Sequence, residues 1–411
     1  MLAACSQKKE EIQSQEVNQM NEQLIGKWQG NIEIPNTALP IIVDLQKQSG
    51  TLSVPVQGLQ NYPFKKIAYD GNKVSILIDL NGSKIEIDGT LSGDQIDATF
   101  KQNGGAFPLK LKQYVEQQVT YETMTIPVED GDLKVAVQKA SQQPSPLVLI
   151  LAGSGPTDKD GNTIGVGQNN SLKMLAEGLA DAGITSVRYD KRGIGDNAPL
   201  LTKEEDITID QYVNDAVRVL NTLQAEGTYS SIHIIGHSEG SLIGMLAAQQ
   251  TKVDSFVSLA GAGREADELL LEQLEGQLST ALKEEAIAIL GSLKQGELVP
   301  NVSTDLQALF RPSVQPYMIS WLQYNPAEII ASLDSKVMII QGTTDIQINS
   351  ADAEALKKGK QDASILYIDG MNHVLKEAPA ERAANIATYT DPSLPLHEQL
   401  VPAIANFIDE K

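Results

Sequence analysis

Residues 146–151, Pro-Leu-Val-Leu-Ile-Leu, form a short and wholly apolar run. A strand with side chains on both faces can be apolar throughout only if both faces are covered. That requirement selects a mostly parallel sheet with helices on either side. The chain around the run agrees. From about residue 118, strand-like stretches (185–189, 232–235, 255–259, 336–340, 364–368) alternate with helical spacing, as at Leu172, Leu175, Ala176 and Leu179 and over 209–223. A helix over 400–408 closes the chain. Residues 123–128 and 133–138 flank Glu129-Asp130-Gly131-Asp132 and predict an antiparallel hairpin ahead of the parallel strands. Ligands of such sheets sit beyond the carboxyl ends of the strands.

Residues 22–115 have a different character. Lys84-Ile85-Glu86-Ile87-Asp88 and Gln95-Ile96-Asp97-Ala98-Thr99-Phe100 alternate with period two. Asp70-Gly71-Asn72, Asn81-Gly82 and Ser92-Gly93-Asp94 supply turns. A small antiparallel β domain or partial barrel is expected, with Trp28 as a core aromatic. Gly26-Lys27-Trp28-Gln29-Gly30 faintly resembles the opening strand of lipocalin-like barrels.

Residues 1–21 are polar and lack apolar periodicity, so they read as a disordered tether. The single cysteine lies in Leu2-Ala3-Ala4-Cys5, which resembles the lipobox of bacterial lipoproteins. On that resemblance Cys5 is the lipidation site, and the protein is exported and lipid-anchored to a bacterial membrane. The basic and apolar stretches of a signal peptide do not accompany it, so the reading implies a trimmed start.

Composition removes several function classes. Against 32 Lys+Arg stand 53 Asp+Glu, for a formal charge of −21. Such a surface is wrong for nucleic acid, and contact with a membrane is expected only through a lipid on Cys5. One Cys and four His supply poorly any metal site, so neither metal nor cofactor is expected.

The chemistry concentrates at strand ends. Residues 232–235 run into Gly236-His237-Ser238-Glu239-Gly240 and then a helix. This G-x-S-x-G turn lifts a serine oxygen clear of the sheet at a helix amino terminus. Ser238 is therefore the candidate nucleophile. It needs a base, and His373 follows the strand 364–368 on a loop. His237 adjoins the serine and would point away, His233 lies within a strand, and His397 precedes the last helix. Asp345 ends the short loop after strand 337–341 and is the candidate carboxylate partner. Asp334 and Asp352 are the rivals, expected to be solvated. The Ala152-Gly153-Ser154-Gly155-Pro156 loop leaves an apolar strand, and the N–H groups of Ser154 and Glu239 are the candidate oxyanion donors. Thr157-Asp158-Lys159-Asp160-Gly161-Asn162 lacks the later ligands of a calcium loop and reads as pocket wall.

The order Ser238, Asp345, His373, with the Gly153–Pro156 loop, is similar to the α/β-hydrolase superfamily over about 290 residues. Within it the chain resembles serine aminopeptidase-like and monoacylglycerol lipase-like hydrolases and bacterial lipoprotein esterases. The resemblance implies an α/β-hydrolase fold over 116–411. It also implies a helical cap at about 263–333, an insertion whose helices are expected over 266–278, 283–293 and from 311 to about 324. Met318, Trp321 and Tyr324 are candidates for an acyl pocket, although aromatic and Met residues at helical spacing are more often ordinary packing. Asp190-Lys191-Arg192-Gly193-Ile194-Gly195 matches a structural turn of the superfamily, with Asp190 and Arg192 expected to pair. Ala152 departs from the histidine that many members place before the oxyanion glycine. The expected function is hydrolysis of carboxylic esters with small to medium acyl groups, through an acyl-enzyme on Ser238. A serine aminopeptidase or amidase is the alternative enzyme, and a non-catalytic binding module the alternative class.

Overall fold

The computed structural model describes residues 20–34, 37–54, 59–80, 82–114, 119–163 and 167–410. Cys5 and nearly all of the expected tether lie outside the described residues. The chain divides into two compact units, Met1–Gln117 and Gln118–Lys411.

The first unit is a nine-stranded antiparallel sheet, a β half-barrel. Its strands are β1 (Gly26–Ile34), β2 (Thr37–Leu45), β3 (Gly50–Val54), β4 (Leu59–Pro63), β5 (Lys66–Asp70), β6 (Lys73–Leu80), β7 (Ser83–Ser92), β8 (Gln95–Gln102) and β9 (Gly105–Gln113). Their spatial order is β4-β3-β2-β1-β9-β8-β7-β6-β5. Both edges are thus consecutive in the chain, and only the β1–β9 pairing joins distant segments. Period two places Ile85, Ile87 and Leu91 of β7 and Ile96 and Phe100 of β8 in one core. Trp28 is a core residue of this unit; its indole N–H donates to the Leu24 carbonyl at 2.9 Å.

The second unit carries an eight-stranded mixed sheet: β10 (Glu122–Val128), β11 (Gly131–Gln138), β12 (Leu147–Leu151), β13 (Thr185–Arg188), β14 (Ile232–His237), β15 (Ser255–Leu259), β16 (Lys336–Gly342) and β17 (Ser364–Ile368). The order is β10-β11-β13-β12-β14-β15-β16-β17. The first pair is the expected antiparallel hairpin, and β11 also runs antiparallel to β13; the remaining pairs are parallel. Helices α1 (Ser171–Asp181), α2 (Ile209–Glu226) and α3 (Glu239–Gln250) connect the early strands.

Strand β12 shows why the run is apolar. Leu147, Leu149 and Leu151 enter the cluster with α2 and α3, whereas Val148 and Ile150 enter the cluster with α1 and the carboxyl-terminal helix. Each fully buried side chain of this kind contributes roughly 1.5–3 kcal/mol.

Between β15 and β16 lies a helical insertion: α4 (Ala266–Gln273), α5 (Thr280–Lys294), α6 (Gln307–Phe310), α7 (Gln315–Trp321) and α8 (Pro326–Ala331). It has its own core around Leu290, Leu293, Phe310 and Met318. Two helices are shorter than the spacing predicts. The first stops at 273 and turns through Gly276, whose φ is +75°. The segment from 311 breaks into a 3-10 turn at Pro312 before α7, which ends at Trp321. The chain closes with α9 (Ser350–Gly359), α10 (Arg382–Ala387) and α11 (Leu400–Asp409). No helix among the described residues is long and apolar enough to cross a membrane.

Candidate active site

The turn between β14 and α3 sets the geometry. Ser238 has φ 55° and ψ −122°, a left-handed conformation that a non-glycine residue occupies only when its surroundings force it. The forcing is steric. A Cβ on Gly236 would lie 2.3 Å from the Gly240 carbonyl oxygen, and one on Gly240 would lie 2.3 Å from that of Leu151. Helix α3 therefore packs against the end of β12 at backbone distance. The Ser238 N–H donates to the Leu259 carbonyl at 3.0 Å, which ties the turn to β15.

The loop after β12 meets this turn. A Cβ on Gly153 would stand 3.1 Å from that of Ser238, so the loop backbone passes directly beside the serine. Neither the Ser154 nor the Glu239 N–H has an acceptor among the described residues. The 157–163 segment folds around its own polar groups. The Asp158 carboxylate accepts from the N–H groups of Asp160 and Asn162 at 2.9 and 2.8 Å, and Asp160 bonds Arg188. Burial and the neighbouring Asp160 push the Asp158 carboxyl up to about 6. No group of three His, Cys, Asp or Glu among the described residues is arranged to hold a metal ion.

His373 and Asp345 come together as the sequence predicts. The His373 Nδ1–H donates to Asp345 Oδ2 at 2.8 Å, and the Asp345 side chain is fully buried. The other carboxylate oxygen accepts the N–H groups of Gln347 and Ile348 at 2.8 and 3.0 Å. Three bonds of this kind fix the carboxylate and hence the ring's tautomer. His237 is no base, but it is not idle. Its Nε2–H donates to the His373 carbonyl at 2.8 Å, and the two rings lie 4.9 Å apart. Its burial, and secondarily the His373 ring, push its pKa down to about 4. His233 is held between Ser231 and Ser255 inside the sheet. Of the two rival carboxylates, Asp334 is exposed, but Asp352 is fully buried and accepts two bonds from the Arg264 guanidinium.

Asp190 and Arg192 do not pair with each other. Asp190 accepts from the N–H and ammonium of Lys159 and from the Asp196 N–H. Arg192 makes a two-pronged pair with Asp215 of α2, at 2.7 and 2.8 Å, and reaches Asp130 in the hairpin turn. The residue between them was not singled out by the sequence. Lys191 turns inward, and its ammonium lies 2.7 Å from Glu239 Oε1. Tyr317 of α7 bonds the other oxygen of the same carboxylate.

A pocket of about 240 Å³ opens beside the glycine-rich loop. Gly155, Pro156, Ile194, Leu201, Tyr212 and Tyr317 line it, and the Arg311–Glu204 pair closes one side. The insertion residues on this wall are Arg311, Val314 and Tyr317, not the expected Met318, Trp321 or Tyr324. Met318 is buried in the insertion's own core. Trp321 packs between the two clusters, and the Tyr324 hydroxyl donates to Asp210. The signal for Tyr317 was weak, because every aromatic of a short helix shares the same spacing.

A strand–turn–helix serine turn, a Ser, Asp, His order and a carboxylate–histidine pair on a mixed sheet are those of an α/β hydrolase. Residues 168–377 match the family described as serine aminopeptidase, S33, and the chain belongs to that family. Esterase EstD of Thermotoga maritima is 30% identical over 285 residues, 66% of this chain. The chain spans 65% of the length of that relative. Among solved structures it is similar to Est1E from Butyrivibrio proteoclasticus with ferulic acid bound, at 16% identity and a TM-score of 0.45, covering 70% of this chain and 96% of that one. It is also similar to the esterase domain of a Rhodothermus marinus protein, at 15% identity and a TM-score of 0.44, covering 71% and 100%.

Proposed function

We propose that this chain is a serine hydrolase that cleaves carboxylic esters. The observation that carries the reading is the strained Ser238 turn, with His373 bonded to buried Asp345 and tied to the residue before the serine. In this reading the Ser238 oxygen attacks the ester carbonyl while His373 takes its proton. The Ser154 and Glu239 N–H groups hold the oxyanion. His373 then returns the proton to the leaving alcohol, and water repeats the cycle on the acyl-enzyme. The helical insertion acts as a cap, with Tyr317 over the pocket. Small to medium acyl groups are the proposed substrates, and the pocket beside Gly155 and Pro156, of about 240 Å³, is of a size to take them.

The ester reading is preferred to the aminopeptidase that the family's description suggests. An aminopeptidase needs an anionic partner for the substrate's ammonium. The carboxylate lining this pocket, Glu204, is already paired with Arg311, and Glu239 of the serine turn is paired with Lys191. The relative at 30% identity is also an esterase by name. A binding module would not need a buried Asp–His pair beside a strained serine. A panel of p-nitrophenyl esters and aminoacyl anilides, run on wild type and Ser238→Ala, tests the assignment. Turnover of short esters that Ser238→Ala abolishes is expected; rapid anilide turnover with inert esters overturns it.

Cys5 is the proposed lipid anchor of an exported protein, on the strength of Leu2-Ala3-Ala4-Cys5. Metabolic labelling of the full precursor with a palmitate analogue tests this. Unlabelled protein removes the anchor.

A further inference from the structure

Among the buried charged groups that the mechanism above leaves unused, Lys191 is paired with the residue that follows Ser238. Lys191 and Glu239 form an ion pair whose side chains are 6% and 1% exposed. Lys191 also lies 4.8 Å from the centre of the Tyr212 ring and shares a cavity of about 10 Å³ with Ala152, at the start of the glycine-rich loop. Tyr317 completes the set from the helical insertion. The three side chains come from a strand-end turn, the serine turn and the insertion, and they meet behind the proposed oxyanion donors.

The position makes the pair consequential. Glu239 follows the proposed nucleophile, and its N–H is a proposed oxyanion donor. An unpaired carboxylate there would repel the negative charge that develops on the substrate oxygen, in a setting too dry to screen it. We propose that Lys191 is a positioning residue for ester cleavage. Its ammonium cancels the charge of the Glu239 carboxylate beside the proposed oxyanion donors, and Tyr317 links the same carboxylate to the proposed cap. The proposal rests on the serine-hydrolase reading.

The test compares Lys191→Met, Glu239→Gln and the double variant with wild type, measuring kcat and KM on p-nitrophenyl acetate and butyrate. The rate of labelling by a serine-directed phosphonate is measured in parallel. Lys191→Met is expected to lower kcat by roughly tenfold or more with KM within about twofold, the scale on which a displaced oxyanion donor acts. Labelling should slow with kcat. The double variant, which removes the charge as well as its partner, is expected to recover to within about threefold of wild type. A merely structural pair would lose stability in Lys191→Met without a loss of kcat in the folded protein at saturating substrate, so a kcat loss in the folded variant marks the positioning role. If Lys191→Met does not fold, Lys191→Gln replaces it and is expected to lower kcat by roughly tenfold, while Lys191→Arg, which keeps the charge, retains more of the wild-type kcat. A double variant as impaired as Lys191→Met, a wild-type kcat in Lys191→Met, or a large kcat loss in Lys191→Arg overturns the proposal. Wild-type protein that neither turns over esters nor takes up phosphonate overturns the hydrolase reading itself, a separate and recognisable outcome.

Discussion

His237 Nε2 lies 2.8 Å from the carbonyl oxygen of His373, across 136 residues of chain. This bond ties the loop that carries the proposed base to the turn that carries the proposed nucleophile. His237→Ala leaves a buried carbonyl without its donor, at a cost of about 1–3 kcal/mol. The same change frees the base to drift, and a misplacement of about 1 Å is worth up to roughly 100-fold in rate. Urea denaturation and ester kinetics on this variant should show both losses. Wild-type kcat in His237→Ala would mean that the loop is positioned by Asp345 alone.

Two buried histidines make stability depend on acid. Burial pushes both His233 and His237 down to about 4. In the unfolded chain they titrate near the ordinary value of about 6.5. Their contribution is therefore complete above about pH 6.5 and is lost progressively as pH falls toward about 4, at roughly 3 kcal/mol each. Asp158, pushed up to about 6, has the opposite sign. Its folded form takes the proton first, so it adds stability as pH falls from about 6 to about 4. Two histidines outweigh one carboxyl, and the urea midpoint should drop between pH 7 and pH 4.5. With carbon-13 labelled histidine, the His233 and His237 resonances should stay flat from pH 8 to about pH 5. A midpoint that rises on acidification would refute the assignment.

The serine turn stores backbone strain that the proposed nucleophile would use. At φ 55° a side chain costs of order 1–3 kcal/mol that glycine does not incur. Ser238→Gly should therefore raise the melting temperature while abolishing turnover. Ser238→Ala should abolish turnover by about 10⁴-fold or more with no such gain. Paired melting curves decide the point, and equal stability of the two variants would remove strain from the account.

Arg311 and Glu204 pair at the pocket's edge with side chains 39% and 37% exposed. Exposure of that degree limits the pair to about 1 kcal/mol or less of stability. Its effect should instead fall on substrate fit. Arg311→Ala is expected to shift the melting temperature little, yet to change KM across an acetate-to-octanoate ester series. An unchanged chain-length profile would place the acyl group elsewhere.

The strand and helix alternation and the serine turn were legible because each is set locally, and the Asp345–His373 pairing because both residues follow neighbouring parallel strands. Apolar runs choose buried strands, glycines 236 and 240 permit a close crossing of helix and strand, and loops at strand ends have few places to go. The partners of Asp190, Lys191 and Arg192 were not legible, and neither was the burial of Asp352. Successive residues of a turn face different neighbours, and the oppositely charged partners of Lys191 and Arg192 lie between 23 and 62 positions away.

The sequence by itself determined the alternating strand and helix architecture and the serine turn at a strand end, because backbone sterics and apolar period act over a few residues. The tertiary structure decided which insertion residue faces the pocket. On α7 it is Tyr317, while its neighbour Met318 turns into the insertion's own core. Adjacent helical residues point about 100° apart, and only packing fixes which of them turns toward the site.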